Sequence, residues 1–234
     1  MKRLFILAAT VLAAITANAQ YAPGTLSILP KLGMSISTLS NAPDVQVDNH
    51  AGTIKNNPNS SAFVGVELEY QTVKWLGLTA ALSYTVQGCA WENYEYKDDG
   101  VKYEGYNNKF DLGYINLPVV ANFYLWKGLA LKTGVQLGFL TNANSVNSLK
   151  SNVKMGDTKI YTNIDTRTNI RKECRKFDVA IPIGLSYEFK RHIVLDARYN
   201  IGLLTIDKED NPDSDPICNG VFQLTFGYKF KLTK

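Results

Sequence analysis

From about residue 26 to residue 232, long stretches of the chain alternate apolar and polar side chains. The last stretch is the cleanest: Phe222, Leu224, Phe226, Tyr228, Phe230 and Leu232 alternate with Gln223, Thr225, Gly227, Lys229 and Lys231. A period of two places successive side chains on opposite faces of a β-strand. An aromatic-rich face backed by Gly, Gln and Lys suits a wall between lipid and a polar interior. The pattern predicts eight strands: about Leu26 to Leu39, Ala62 to Gln71, Leu76 to Gln87, Leu112 to Leu125, Leu129 to Leu140, Phe177 to Phe189, Ile193 to Ile206, and Val221 to Leu232. The fold class expected is all-β, an eight-stranded antiparallel up-and-down transmembrane barrel.

The connectors support that reading. Those at Thr72 to Trp75, Trp126 to Gly128 and Lys190 to His192 are short. Those at Asn41 to Ser61, Gly88 to Asp111, Thr141 to Lys176 and Asp207 to Gly220 are long. Short turns at one end and long loops at the other is the asymmetry of outer-membrane barrels. Aromatics gather where an apolar belt would meet water. Tyr70, Trp75, Phe123, Tyr124, Trp126, Tyr187, Phe189, Tyr228 and Phe230 lie near the short turns, and Tyr84, Trp91, Tyr114 and Phe139 toward the long loops.

Facing the other way, the same strands carry five basic residues, Lys31, Lys132, Arg198, Lys229 and Lys231, and five acidic ones, Glu67, Glu69, Asp178, Glu188 and Asp196. Unpaired charges in a narrow interior cost several kcal/mol each, so the balance predicts a paired network filling the lumen. Eight strands leave an interior about wide enough for side chains, which disfavours an open channel. Pro118 and Pro182 fall on inward positions and lack the N–H of a ladder bond, which predicts bulges or bends there.

Residues 1–19 combine Lys2 and Arg3, an apolar run to about Ala17, and Ala17-Asn18-Ala19 before Gln20. That is the plan of a cleaved signal peptide, leaving residues 20–234 as one barrel domain. The run is short of the ~20 apolar residues a spanning helix needs. Export to the outer membrane of a Gram-negative envelope is the expected address. Without Lys2 and Arg3 the chain has 23 basic against 21 acidic residues, so nothing points to nucleic acid.

Candidate chemistry is sparse. His50 and His192 are the two histidines, and neither sits in a Ser/His/acid or metal-ligand pattern. No enzyme activity, cofactor or metal is expected. Asp207, Glu209, Asp210, Asp213 and Asp215 form an acidic loop without the glycine and spacing of a calcium loop. Lys150, Lys154, Lys159, Arg167, Arg171, Lys172, Arg175 and Lys176 form a basic one that could pair with it or meet lipid phosphates. Asp99-Gly100 signals a hairpin, along which Tyr94, Tyr96, Tyr103 and Tyr106 are either a recognition surface or pairs that stabilise it. Cys174 and Cys218 both precede strands at the same rim, where a disulfide is geometrically conceivable. Free thiols, or a pairing with Cys89, are the alternatives.

Lys31-Leu32-Gly33-Met34-Ser35-Ile36-Ser37, Tyr114-Ile115-Asn116-Leu117-Pro118, Leu195-Asp196-Ala197-Arg198-Tyr199-Asn200-Ile201-Gly202-Leu203 and Leu224-Thr225-Phe226-Gly227-Tyr228-Lys229-Phe230 resemble segments of the small outer-membrane β-barrel proteins of Bacteroidetes, the PorT-like porin family. The resemblance implies an outer-membrane location. It also implies that one class of members assists protein secretion, and it carries over no catalytic residue. The leading expectation is a non-enzymatic barrel, favoured as a monomer, with a charge-plugged lumen and long external loops for outer-membrane lipid or envelope and secretion proteins. A narrow porin for ions or small solutes, or an accessory barrel of a secretion or surface-assembly machine, are the alternatives.

Overall fold

The computed structural model describes residues 21–47, 52–98, 101–155, 158–189, 192–208 and 215–233. The signal-peptide expectation for residues 1–19 lies outside them, as does His50. Among the described residues, fourteen strands run in order: β1 (Leu26–Leu39), β2 (Val45–Val47), β3 (Gly52–Ile54), β4 (Asn56–Val73), β5 (Leu76–Gln87), β6 (Cys89–Trp91), β7 (Tyr94–Asp98), β8 (Val101–Trp126), β9 (Leu129–Met155), β10 (Thr158–Asn169), β11 (Phe177–Glu188), β12 (Ile193–Thr205), β13 (Cys218–Tyr228) and β14 (Phe230–Lys231). Eight of them close on themselves through antiparallel neighbours, in the order β1, β4, β5, β8, β9, β11, β12, β13 and back to β1.

Alternation sets the register. Leu68, Leu78, Leu82, Val119, Val135, Leu185, Leu195 and Phe226 stand exposed on the outer surface, and the residues between them are buried inside. Slipping one strand by a residue would bring its charges to the outer face, so the pattern fixes the pairing. The outer face is apolar throughout the ring, and Trp75, Trp126, Tyr187, Phe189, Tyr228 and Phe230 project from it near the short turns. One of those turns, Lys127-Gly128, has positive φ at both residues, 25° and 94°. That conformation suits a two-residue hairpin whose twist matches its strands.

The regions expected to be loops are mostly sheet. β8 runs 26 residues and β9 runs 27, where a tilted membrane strand needs ~9 to 11. Their outer halves pair with each other, β10 folds back along β9, and β7 folds back along β8 with Asp98 opposite Val101. Short β6 bridges β4 and β8, and β2 with β3 makes a separate hairpin. Asp99-Gly100 had signalled the β7–β8 hairpin, whereas β10 was hidden because its polar, two-sided sequence lacks an apolar face and β6 is only three residues long.

Local irregularities have identifiable causes. Gly113 pairs with Asn142 and the next residue, Tyr114, with Leu140, which leaves Thr141 as an extra residue on β9. Its Oγ1 donates to the Gly113 carbonyl at 2.8 Å. The bulge flips the phase of β9, so even positions face inward below it and Ala143 faces inward above. Pro118 and Pro182 behave differently from expectation. Each leaves a gap in one ladder, β5–β8 and β9–β11 respectively, with the same register on both sides of the gap. A lost N–H donor removes ladder bonds locally without adding a residue.

Candidate functional site

The interior is stratified. At mid-height Lys31 on β1, Glu67 on β4, Lys132 on β9, and Asp196 and Arg198 on β12 converge. Glu67 receives Lys31 at 2.7 Å, Lys132 at 3.1 Å and Arg198 at 2.8 Å. Asp196 receives Lys132 at 2.6 Å, Lys31 at 3.1 Å and Arg198 at 3.5 Å. No side chain of the five is more than 5 % exposed. Glycines make the room: Lys31 stands between Gly65 and Gly227, and Gly184 stands between Lys132 and Arg198. A Cβ on Gly227 would lie 2.8 Å from Lys31 Cγ, and one on Gly184 would lie 3.1 Å from Arg198 Cβ.

A second cluster fills the end near the short turns. Lys229 Nζ meets both oxygens of Glu69 at 3.1 Å and Glu188 Oε2 at 3.2 Å. The Tyr124 hydroxyl donates to Glu69, and Asn122 Nδ2 donates to Glu69 Oε2 at 2.9 Å. Tyr21 caps this end, its hydroxyl donating to Glu188 Oε1 at 2.9 Å and lying 2.7 Å from His192 Nδ1. The mid-height cluster holds three cations against two carboxylates, and this one holds one cation against two. Their excesses are opposite in sign, which lowers the cost of enclosing both.

Eight of the ten charges expected inside therefore belong to two ion clusters. Two do not. Asp178 is buried higher up and accepts from Asn219 Nδ2 at 3.0 Å instead of meeting a cation. Lys231 is exposed on β14 beyond the last inward position, where it faces Ser27, and none of the ion pairs among the described residues includes it. Tyr124 and Tyr114, expected in the outer girdle, both point inward and are buried. Tyr21, His192, Asn122 and Tyr124 were missed as network members. Inward alternation signalled Asn122 and Tyr124, whereas Tyr21 precedes the first strand and gave no signal.

Above the polar layers the filling becomes apolar. Leu39, Cys89, Leu112, Tyr114, Leu140, Ala143, Cys174 and Ile206 pack together, with Trp91 and Phe110, whose ring centroids lie 4.8 Å apart, against them. The three cysteines are free thiols, the alternative kept open beside a Cys174–Cys218 disulfide. Cys89 and Cys174 act as small apolar core residues, while Cys218 starts β13 with its backbone held to Ser40. Burial pushes the Cys89 thiol up to about 12 and the Cys174 thiol up to about 11, so both stay protonated.

The tyrosine set lies along the projecting hairpin and its neighbouring strand. Tyr96 stacks on Tyr103 at 4.9 Å, and the Tyr94 ring covers Gly105 across the ladder. Tyr106 lies under Lys150 Nζ at 4.2 Å, with its hydroxyl 3.4 Å from Asp165 Oδ1. Arg171, Lys172, Arg175 and Lys176 join Lys208 around an open recess of about 950 Å³. The side chains of Lys154 and Lys159 and the acidic residues Glu209, Asp210 and Asp213 lie outside the description. Among the described residues, no group of three or more His, Cys, Asp or Glu side chains is placed to hold a metal ion.

Residues 18–208 match the family described as "Outer membrane protein beta-barrel domain". No curated protein matches the sequence. Among solved structures, the chain is similar to Ail, the attachment invasion locus protein of Yersinia pestis, at 14% identity, covering 89% of this chain and 99% of that one with a TM-score of 0.41. It is similar to OprG from Pseudomonas aeruginosa at 13% identity, covering 92% and 100% with a TM-score of 0.42. Neisserial surface protein A gives 11% identity, 88% and 97% coverage and a TM-score of 0.41.

Proposed function

On the premise that the chain belongs to the outer membrane protein β-barrel domain family, we propose that it is a non-enzymatic, eight-stranded transmembrane barrel whose lumen is closed by ion pairing and whose work is done at its external end. The family places it in the outer membrane. The ring of eight antiparallel strands with an apolar, aromatic outer face supports the strand count. Cleavage after Ala19 and a place among PorT-like Bacteroidetes barrels belong to the same proposal, supported by the segments quoted above.

The observation that carries the closed lumen is the mid-height cluster. Its two carboxylates each meet three cations within 3.5 Å, and the gap beside Lys31, Glu67 and Arg198 has a volume of about 10 Å³. That is room for about one water. Selectivity charges of a conducting pore need solvent beside them, whereas these are desolvated and committed to one another. At the other end the extended β8–β9–β10 sheet and the basic recess of Arg171, Lys172, Arg175, Lys176 and Lys208 face away from the short turns. Clustered cations at that height suit the phosphates of surface lipid.

The test is conductance of the refolded chain in a planar bilayer, with heat-modifiable gel migration to confirm folding. A folded protein without steady single-channel steps is expected. Reproducible steps would overturn the closed lumen and turn the reading to a narrow porin, with Lys31, Glu67, Lys132, Asp196, Arg198 and Lys229 as its selectivity residues.

A further inference from the structure

The ion clusters leave one part of the interior unused. Where the apolar filling meets the short outer strands, a cavity of about 380 Å³ remains, walled mainly by Leu39, Ile54, Trp91, Phe110, Ile206 and Ile217. Ligand sites for small molecules have this size and this apolar lining, with a few polar groups that fix orientation. The polar group here is Asn108. It lines the cavity, is only 8 % exposed, and makes no side-chain hydrogen bond within the described residues. An amide with no protein partner on the wall of the cavity offers its donor and acceptor to whatever stands there. Ser145 and Asn147, on the adjacent strand β9, also line the cavity and hydrogen-bond each other at 3.2 Å.

The lining also sets a charge rule. Among the described residues it contains no cation, and its one carboxylate is Asp207, which is exposed. An anionic ligand would enter against a carboxylate and find no counter-charge in an apolar wall. The aromatic edge made by Trp91 and Phe110, at an interplanar angle of 84°, offers both a face and an edge to a planar ring.

We propose that this cavity is a binding site for a small uncharged amphiphile, with a planar or short-chain apolar body among Trp91, Phe110 and Ile217 and a hydroxyl or amide on Asn108. The site goes beyond the closed-lumen reading and does not depend on it, because the cavity lies above the ion clusters and its occupancy needs no passage through them. Conductance therefore tests one reading and ligand binding the other.

The experiment titrates 2-naphthol into the full protein in lipid nanodiscs and follows the three tryptophan indole N–H signals by NMR. Trp75 and Trp126 stand exposed on the outer belt near the short turns, at the other end from Trp91, and report probe that merely dissolves in lipid. Expected is a saturable shift at Trp91 with Trp75 and Trp126 unmoved. Ala42→Phe, which fills the cavity from its wall, should remove the Trp91 response. Asn108→Leu should weaken 2-naphthol about tenfold and leave naphthalene unchanged, since naphthalene has no group to bond the amide. A Trp91 shift that fails to saturate, that follows Trp75 and Trp126, or that persists in folded Ala42→Phe would overturn the proposal. So would equal losses for both probes in Asn108→Leu.

Discussion

Inside one ring of strands, two fillings meet different needs. The half toward the short turns is packed with ions whose geometry must be satisfied together. The half toward the outer strands is packed with Leu39, Leu112, Leu140, Ile206 and buried thiols, whose contacts are individually small and interchangeable. A desolvated ion cluster has one good arrangement, because each missing partner leaves another charge uncompensated. An apolar cluster can loosen, shift a rotamer or leave a void at modest cost. The closed, specific part of the molecule is thus its charged part, and the part that holds a ligand-sized space is its apolar part.

Breaking the charged filling should have the largest effect. Glu67 is the acceptor shared by Lys31, Lys132 and Arg198. Glu67→Ala leaves three buried cations on Asp196 alone, and removing one side of a buried pair costs about 3–5 kcal/mol. Urea-dependent refolding into lipid, read by gel migration, should show the midpoint fall accordingly. Equal stability of Glu67→Ala and the parent chain would mean that water, not pairing, compensates these charges.

Leu195 sharpens the contrast across a single peptide bond. Its neighbour Asp196 is buried among three cations, while Leu195 stands on the outer face opposite Phe226 and Tyr187. Leu195→Arg places a charge where no partner exists, at a cost of about 2–4 kcal/mol near mid-membrane. The same refolding titration measures it. A harmless Leu195→Arg would show that this face does not meet lipid.

How much of this was legible follows from the same physics. Alternation located the ring strands, their faces and eight of the ten network charges, because a membrane wall forces every second residue to be apolar. It failed where that force stops. Above the bulge at Thr141 the phase of β9 reverses, and β10, exposed on both faces, carries no apolar face to read and looked like loop, while the β7–β8 hairpin showed only through its Asp99-Gly100 turn. Alternation also cannot distinguish an outward aromatic from an inward one with a polar tip, which is why Tyr124 looked like belt. The apolar filling and its cavity join residues from β1, β6, β8, β9 and the segments flanking β12 and β13. No local pattern encodes that meeting.

A gentle change in the apolar half should behave unlike either charge. Ile206 is buried in the outer cluster and also lines the cavity. Ile206→Val removes one methylene, for which about 0.5–1.5 kcal/mol is typical. Because an existing void borders the site, the loss should fall at the low end, and thermal unfolding followed by the Trp91 signal would resolve it. A loss matching that of Glu67→Ala would erase the distinction between the two fillings.

The smallest effect should come from Lys231, which alternation places on one face with Lys229. Lys229 Nζ lies within 3.2 Å of Glu69 and Glu188 and is buried, whereas Lys231, two residues on, is exposed on β14. The strand bearings are the same, yet the ring's interior ends between them. Tyr21 closes over the Lys229 cluster, and Lys231 is left on the solvent side of that cap. Lys231→Ala should accordingly refold with an unchanged midpoint, while Lys229→Ala should lose stability in the manner of Glu67→Ala. A matching loss in both would place Lys231 inside the network and move the boundary of the interior by one pair of residues.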